Sequence, residues 1–487
     1  MEKKASIKQF FLYSVINYIG TAIGVVSTVL IYPQNKELYG TISYVEGIAQ
    51  LLFPIMVLGA SQALIKFYPA LDEYKKRQLF NYSIVSVGII SAVVFLGILL
   101  YNNLKESETG WLLYFAFPIA LSLAFVELFR KQAQDLQKLA VPTLYEKLFP
   151  KIALPLVFIL FLNHIIGVYE SLLFFAVCYG LIFILTAIYV FKHYKPGFNY
   201  RFKTLFGEIS RKEYFRYSLY AFAGSLGSLL AFRIDSIVIF NMISEEANGT
   251  FKIGSNLAST LQIPAVGLFA LYAPIVSGYL KNDNFSELHV KYKEVARLLF
   301  FIGAVLYSCI FLGIDDLFML MPTRDKLMDS IPVILVLGFS VLVNMATGFN
   351  SEIITYSKYY RFNLITILLL ILLNISLNVY FVYAGYGILG VSYASFIAMA
   401  LFNISKLIFI YKKFKLIPFD AAFFKMAAVF VFTLVLVYFL PNAESHLVNL
   451  LYKVGLSFIL NIVIVYKLKL VHQVNVWIDK VMSFGRK

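Results

Sequence analysis

Charged residues are scarce in this chain. Asp, Glu, Lys and Arg make up 14% of 487 residues, against 60% hydrophobic and 17% aromatic. A water-soluble fold needs more charged surface than that, so the mean hydropathy of +0.78 marks an integral membrane protein. The apolar runs do not alternate: SIVSVGIISAVVFLGILLY (83–101) has none of the two-residue period of a transmembrane barrel strand, which leaves helices. Cysteine is nearly absent. Cys178 and Cys309 fall inside apolar runs and form no motif, which fits small buried residues better than a disulfide framework. The five histidines are scattered without metal-ligand spacing, and GxSxG, P-loop and strand-to-helix GxGxxG motifs are missing, so no metal site and no familiar catalytic motif is indicated.

Apolar runs of about 20 residues, each able to cross a hydrocarbon core of roughly 30 Å as a helix, recur along the whole length. Segmenting at polar breaks predicts fourteen spans near 9–31, 42–66, 79–101, 111–129, 141–163, 171–191, 215–241, 249–279, 294–313, 331–355, 362–383, 388–411, 421–440 and 448–466. The first is too long for a cleavable signal, so no removed leader is expected. With the MEKK terminus inside, about 30 of the 42 lysines and arginines lie in inside loops or tails, which predicts both termini in the cytoplasm. The net charge of +15 is then a topology signal plus attraction to anionic lipid, and needs no nucleic acid. The connecting loops are short, including the most basic one at 192–214, so no soluble domain is expected. That opposes a membrane glycan polymerase, which needs extramembrane structure for its catalytic groups.

Two segments repeat. ELYGT (37–41) and EANGT (246–250) open the second and eighth expected helices, and an intramembrane proline follows each, Pro54 and Pro264. Pro54, Pro264 and Pro274 are expected to bend helices around a cavity. Glu37 and Glu246 complement the positive ends of their helices. The spacing predicts two six-helix lobes in the same orientation, spans 1–6 and 7–12, related by an axis along the membrane normal. In the tail, Val471, Val474, Trp477, Ile478, Val481 and Phe484 recur at helical spacing, predicting an amphipathic helix anchored by Trp477 on the membrane surface.

AFRIDSIVIF (231–240) places two charges in an apolar helix. At the membrane centre each costs roughly 2.5–3.5 kcal/mol to insert. Residues two apart on a helix point to nearly opposite sides, so Arg233 and Asp235 do not neutralise each other. Lys252, across the next turn, is the expected partner of Asp235. Arg233 is then available to an anionic group. Lys66, Arg130, Lys147 and Lys151 form a second cationic set, which either snorkels to head groups or gathers a diphosphate.

LGASQALIKFYP (58–69), following YGTISYVEGIAQLL (39–52), resembles the second-helix region of polysaccharide flippases of the multidrug/oligosaccharidyl-lipid/polysaccharide (MOP) superfamily. FRIDSIVIF with EANGTFKIGSNLASTLQIPAVGLFALYAPIVSGY (246–279) resembles their seventh and eighth helices. NISLNVYFVYAGYGILGVSYASFIA (374–398) is similar to their eleventh and twelfth. The resemblance implies an all-α membrane protein of fourteen helices in a V-shaped arrangement. Residues 1–213 would form the N-lobe with its basic cytoplasmic connector, 214–413 the C-lobe, and 414–487 helices 13 and 14 with the tail. It also implies transfer of an undecaprenyl-diphosphate-linked oligosaccharide repeat unit between leaflets of the bacterial cytoplasmic (inner) membrane by alternating access. The products served would be O-antigen of lipopolysaccharide, capsule or exopolysaccharide, with the polysaccharide polymerase machinery as partner. Substrate binding is expected at Arg233, Lys252, Lys66, Arg130, Lys147 and Lys151, and proton or sodium coupling at Asp235, with no cofactor and no covalent chemistry. The rivals are a cation-coupled multidrug exporter, which typically has twelve helices, and a membrane glycan polymerase.

Overall fold

The computed structural model describes residues 19–105, 108–359 and 361–484, and all regular elements among them are helices. Residues 9–18 of the first expected span, and the side chains of Pro274, Val481 and Phe484, lie outside what is described. The chain divides into two compact units, Met1–Gly249 and Thr250–Lys487.

The first unit contains α1 (Ile19–Leu30), α2 (Lys36–Val57), α3 (Ala60–Phe67), α4 (Glu73–Leu104), α5 (Leu113–Asp135), α6 (Ala140–Leu162), α7 (Val168–His193), the short α8 (Phe202–Glu208) and α9 (Arg211–Met242), and the beginning of α10 (Glu245–Ser259). Side-chain caps fix two starts: Asn35 accepts from the Leu38 N–H at 2.8 Å and Asp72 from the Lys75 N–H at 2.8 Å. At the centre α5 packs on α2 and α7. Its Ala116, Ala120 and Ala124, one turn apart and fully buried, let neighbouring backbones approach closely. Tyr39 of α2 stacks on Tyr32 with ring centres 4.4 Å apart, and both meet Phe158 of α6.

The second unit continues with α11 (Ile263–Lys281), α12 (Phe285–Met319), the one-turn α13 (Arg324–Leu327), α14 (Ile331–Ala346), α15 (Asn350–Tyr356), α16 (Arg361–Tyr383), α17 (Gly387–Phe414), α18 (Ala421–Tyr438), α19 (His446–Lys467) and α20 (His472–Phe484). Leu288, Tyr292, Val295 and Leu299 form the buried stripe of α12, at the three- and four-residue steps of a helix face. Beside it lies a polar network. Asn403 of α17 accepts from Asn350 at 3.0 Å and Thr347 at 3.3 Å, and donates to Asn344 at 3.1 Å, while Lys406 one turn on donates to Ser351 at 2.7 Å. Asn403→Ala leaves several of these buried groups short of a partner, and is expected to cost about 1–2 kcal/mol in thermal unfolding followed in detergent. A melting curve identical to that of the native chain would show that the network contributes nothing.

Among the described residues, ten helices are long and apolar enough to cross a membrane: α2 with the turn before it, α4, α5, α7, α12, α14 with the turns before it, and α16 to α19. The other four expected spans fall on α1, α6, α9 and α10–α11. The described part of α1 is short, α6 carries Glu146, Lys147 and Lys151, α9 carries Arg233 and Asp235, and the eighth span is interrupted at Thr260–Gln262. Two other spans are also broken. The second stops at Leu58 and Gly59, both left-handed at φ 43° and 76°, and the tenth breaks between Ala346 and Asn350. The second break lies just beyond the expected kink at Pro54: the Leu58 N–H closes on the Pro54 carbonyl at 2.8 Å, which caps α2. The tail is helical, and Val471 and Val474 are buried, packing with Ile478 in a cluster that includes Met426, Phe430 and Val465, while Trp477 is exposed. Val471, Val474 and Ile478 of its apolar stripe are therefore covered by the protein.

Candidate functional site

The two repeated segments meet within the first unit. A Cβ built on Gly40 would lie 1.9 Å from the Glu245 carbonyl oxygen, and one on Gly249 would lie 2.0 Å from the Lys36 carbonyl oxygen. Each glycine thus faces the carbonyl four residues before its counterpart, a self-complementary contact of the kind a two-fold axis generates. Only glycine permits such proximity. Asn248 donates to the Gly40 carbonyl at 2.8 Å and accepts from Ser236 of α9 at 2.6 Å; Thr41 donates to Glu245 at 3.2 Å; Tyr44 stacks on Phe240 with centres 4.0 Å apart. These contacts hold one end of α2 against α9 and α10, beside the buried Asp235.

Further along α2 the packing opens. A cavity of about 270 Å³ is bounded by Pro54, Gly59, Ser61 and Gln62 at the α2–α3 break, by Glu127 and Arg130 of α5, by Glu146 of α6, and by Phe222 and Ser225 of α9. Gly59 makes this break possible, since a Cβ there would sit 2.0 Å from the Ser218 carbonyl oxygen of α9 and its φ of 76° suits glycine alone. Ser61 and Gln62 are delivered to the wall by the first turn of α3. Interrupted helices are the usual means of presenting backbone and polar side chains at membrane depth, because irregular backbone is tolerated there only where it is buried or lines a cavity.

The charges of this region form a chain. Arg130 lies 2.6 Å from Glu146 and 3.4 Å from Glu127; Lys147 lies 3.1 Å from Glu146 and Lys131 3.6 Å from Glu127. Lys151 follows one turn later on α6, half-buried, its aliphatic stem beside Gly20 of α1. Arg130 is thus shared between two carboxylates, each of which also meets a lysine, and Arg130, Glu127 and Glu146 line the polar cavity. Of the expected cationic set, Arg130 and Lys147 share Glu146 and Lys151 lies one turn beyond Lys147, whereas Lys66 is exposed at the end of α3 and packs over the Tyr217 ring at 5.6 Å. Arg233 is half-buried and near enough to Tyr39 and Tyr179 to act on both electrostatically, as does Glu46. Lys252, half-buried on α10, belongs to the second unit.

The two carboxylates are the part that the sequence reading leaves out. Glu127 could have been found, three residues before Arg130 on one helix. Glu146 could be recognised only as the neighbour of Lys147, because its contact with Arg130 joins two helices. Lys406 also went unnoticed: near the end of α17 it reads as a lysine reaching for head groups, yet it is buried over the Phe402 ring at 3.8 Å.

Comparison with known proteins gives the broader assignment. No curated protein matches the chain in sequence. Among solved structures, the lipid II flippase MurJ in an inward closed conformation aligns with a TM-score of 0.71 at 16% identity, covering 94% of this chain and 99% of that one. An inward-facing multidrug resistance MATE family transporter of the MOP superfamily aligns with a TM-score of 0.62 at 15% identity, covering 83% and 98%. A MOP superfamily transporter from Pyrococcus furiosus aligns at 0.51 and 14% identity, covering 84% and 93%. The fold is that of the MOP transporters. Residues 6–280 match the family described as polysaccharide biosynthesis protein. That match spans more than half of the sequence, and the chain is a multi-pass membrane protein belonging to the polysaccharide biosynthesis protein family.

Proposed function

We propose that this protein is a flippase that moves an undecaprenyl-diphosphate-linked oligosaccharide from the inner to the outer leaflet of the bacterial cytoplasmic membrane, for the synthesis of O-antigen, capsule or exopolysaccharide. The observation that carries this reading is the polar cavity of the first unit, walled by a broken helix and by Arg130, Glu127 and Glu146, with Lys147 paired to Glu146 beside it. A lipid-linked sugar needs such a place: cations for the diphosphate, hydrogen-bonding side chains for the sugars, and a route along which the prenyl chain stays in lipid. On this reading fourteen helices cross the membrane and both termini are cytoplasmic. Residues 1–213 and 214–413 act as alternating-access lobes, and 414–487 are an appendage. Arg233 meets the diphosphate or an acidic sugar with help from Lys252 and Lys66. Asp235 is the group through which a proton or sodium ion couples. The product passes to the polysaccharide polymerase machinery.

The test is leaflet transfer of a labelled prenyl-diphosphate oligosaccharide in proteoliposomes. The native chain is expected to raise transfer above empty vesicles, and Arg233→Ala to reduce it at least tenfold, with Arg233→Lys intermediate because a point charge replaces a planar fork of donors. Uptake of a drug cation without lipid transfer would replace this reading with a multidrug exporter, for which the carboxylates Glu46, Glu127 and Glu146 would then be the binding groups.

A further inference from the structure

A second cavity, of about 640 Å³, lies wholly in the second unit, where the end of α11, the start of α12, the α15–α16 connection and the end of α17 converge. Lys281, Lys358 and Lys413 line it with Asp283, Tyr356 and Tyr359. We propose that this cavity binds the phosphate of an anionic phospholipid headgroup.

Three observations support the assignment. The first is convergence. Lys358 and Lys413 come from different elements, yet both pack over the Tyr359 ring, at 5.3 and 5.4 Å from its centre, and the ring is held edge-on by Phe409 and Phe414. The second is uncompensated charge. Among the described residues no ion pair engages Lys281, Lys358 or Lys413, so three cations and the single carboxylate of Asp283 leave the lining with an excess of two positive charges. Helix ends account for Lys281 and Lys413, each in the last turn of its helix and favoured there by the dipole. They do not account for Lys358, which stands in the connection between α15 and α16. The third is depth. The cavity lies where the apolar helices α16 and α17 begin and end, which puts it at head-group level when these helices span a bilayer, and Tyr356 and Tyr359 there are the amphipathic aromatics typical of an interface. Basic pockets between membrane helices at this depth suit phosphodiester heads. The leaflet follows from the orientation proposed above; the site itself does not depend on what the protein transports.

Native mass spectrometry of the purified full-length chain tests this, with phosphatidylglycerol compared against phosphatidylcholine. The native chain is expected to retain phosphatidylglycerol at least tenfold better. Replacing Lys281, Lys358 and Lys413 together by Gln is expected to lower that affinity on the order of 100-fold, about fivefold per lysine. Lys412 and Lys415, exposed like the three lining lysines but outside the cavity, serve as the control pair, and their replacement by Gln is expected to change little. Should the triple variant fail to fold, the single variants carry the same comparison at about fivefold each. Titration with inorganic diphosphate separates the two sources of the phosphate group. Displacement of the lipid from the native chain supports a phosphate site occupied by lipid, whereas binding of diphosphate tighter than the lipid and lost in the triple variant overturns the lipid assignment in favour of a phosphate site filled from solution. Unchanged phosphatidylglycerol retention in the triple variant, or an equal loss in the control pair, overturns the proposal.

Discussion

Alanine at Gly40 or at Gly249 is expected to be among the most damaging single-methyl changes in the protein. Each new Cβ would have to displace a backbone carbonyl, at 1.9 Å from Glu245 or 2.0 Å from Lys36, rather than a side chain that could rotate away. Overpacking of a well-filled core typically costs 1–3 kcal/mol, and an immobile neighbour puts these substitutions at about 3 kcal/mol or above. The helices would have to separate, which also lengthens the Asn248 to Gly40 hydrogen bond of 2.8 Å and unstacks Tyr44 from Phe240. Because both methyls push on the same crossing, the double variant is expected to lose less than the sum of the singles. Gly88 and Gly180 provide the contrast. They lie inside α4 and α7 with open space around the would-be Cβ, so alanine there is expected to be neutral or to stabilise by up to about 1 kcal/mol. Thermal unfolding of the five variants in detergent gives the answer, and a native-like midpoint for Gly40→Ala would mean that the two helices do not cross as described.

This crossing also shows what could be learned from residues alone. The two glycines stand at the same place in ELYGT and EANGT, and the match in helix position pointed to equivalent roles. That they touch could not be inferred, because a repeat records the environment of a residue rather than its partner. The apolar runs were legible for the same local reason: helix formation in lipid depends on the side chains of the run itself. Interruptions were legible only where a proline marked them. Pro54 announced a bend, although the break falls at Leu58 and Gly59, and the break after Ala346 had no proline to reveal it. Charges were visible but their compensation was not. The cationic set Arg130, Lys147 and Lys151 was found without the carboxylates on which its electrostatics depend, since Glu146 meets Arg130 only when α5 and α6 are side by side. The tail followed the same rule, its periodicity being local and the surface it covers tertiary.

Arg130→Ala is the second substitution expected to have a large effect, and its value lies in separating support from substrate contact. Removing the guanidinium takes away the one cation that bridges Glu146 and Glu127 and leaves each with a single lysine, Lys147 or Lys131, in a partly buried place. Breaking a fully buried pair costs 3–5 kcal/mol, and the residual exposure of about a fifth of each side chain brings the expectation to about 2 kcal/mol. Glu146→Gln in the same chain removes one of the under-compensated charges, so the double variant is expected to recover most of the lost stability. Transfer activity then discriminates. If Arg130 contacts the diphosphate, the stable double variant remains at least tenfold slower than the native chain, because neutralising Glu146 restores the fold but supplies no cation. If the double variant regains both stability and transfer, Arg130 serves only to hold α5 against α6, and the anion must be met by Lys147, Lys151 and Arg233. A single variant that is as stable as the native chain would remove the basis for both alternatives, since an arginine shared between two carboxylates at this depth cannot be lost without consequence.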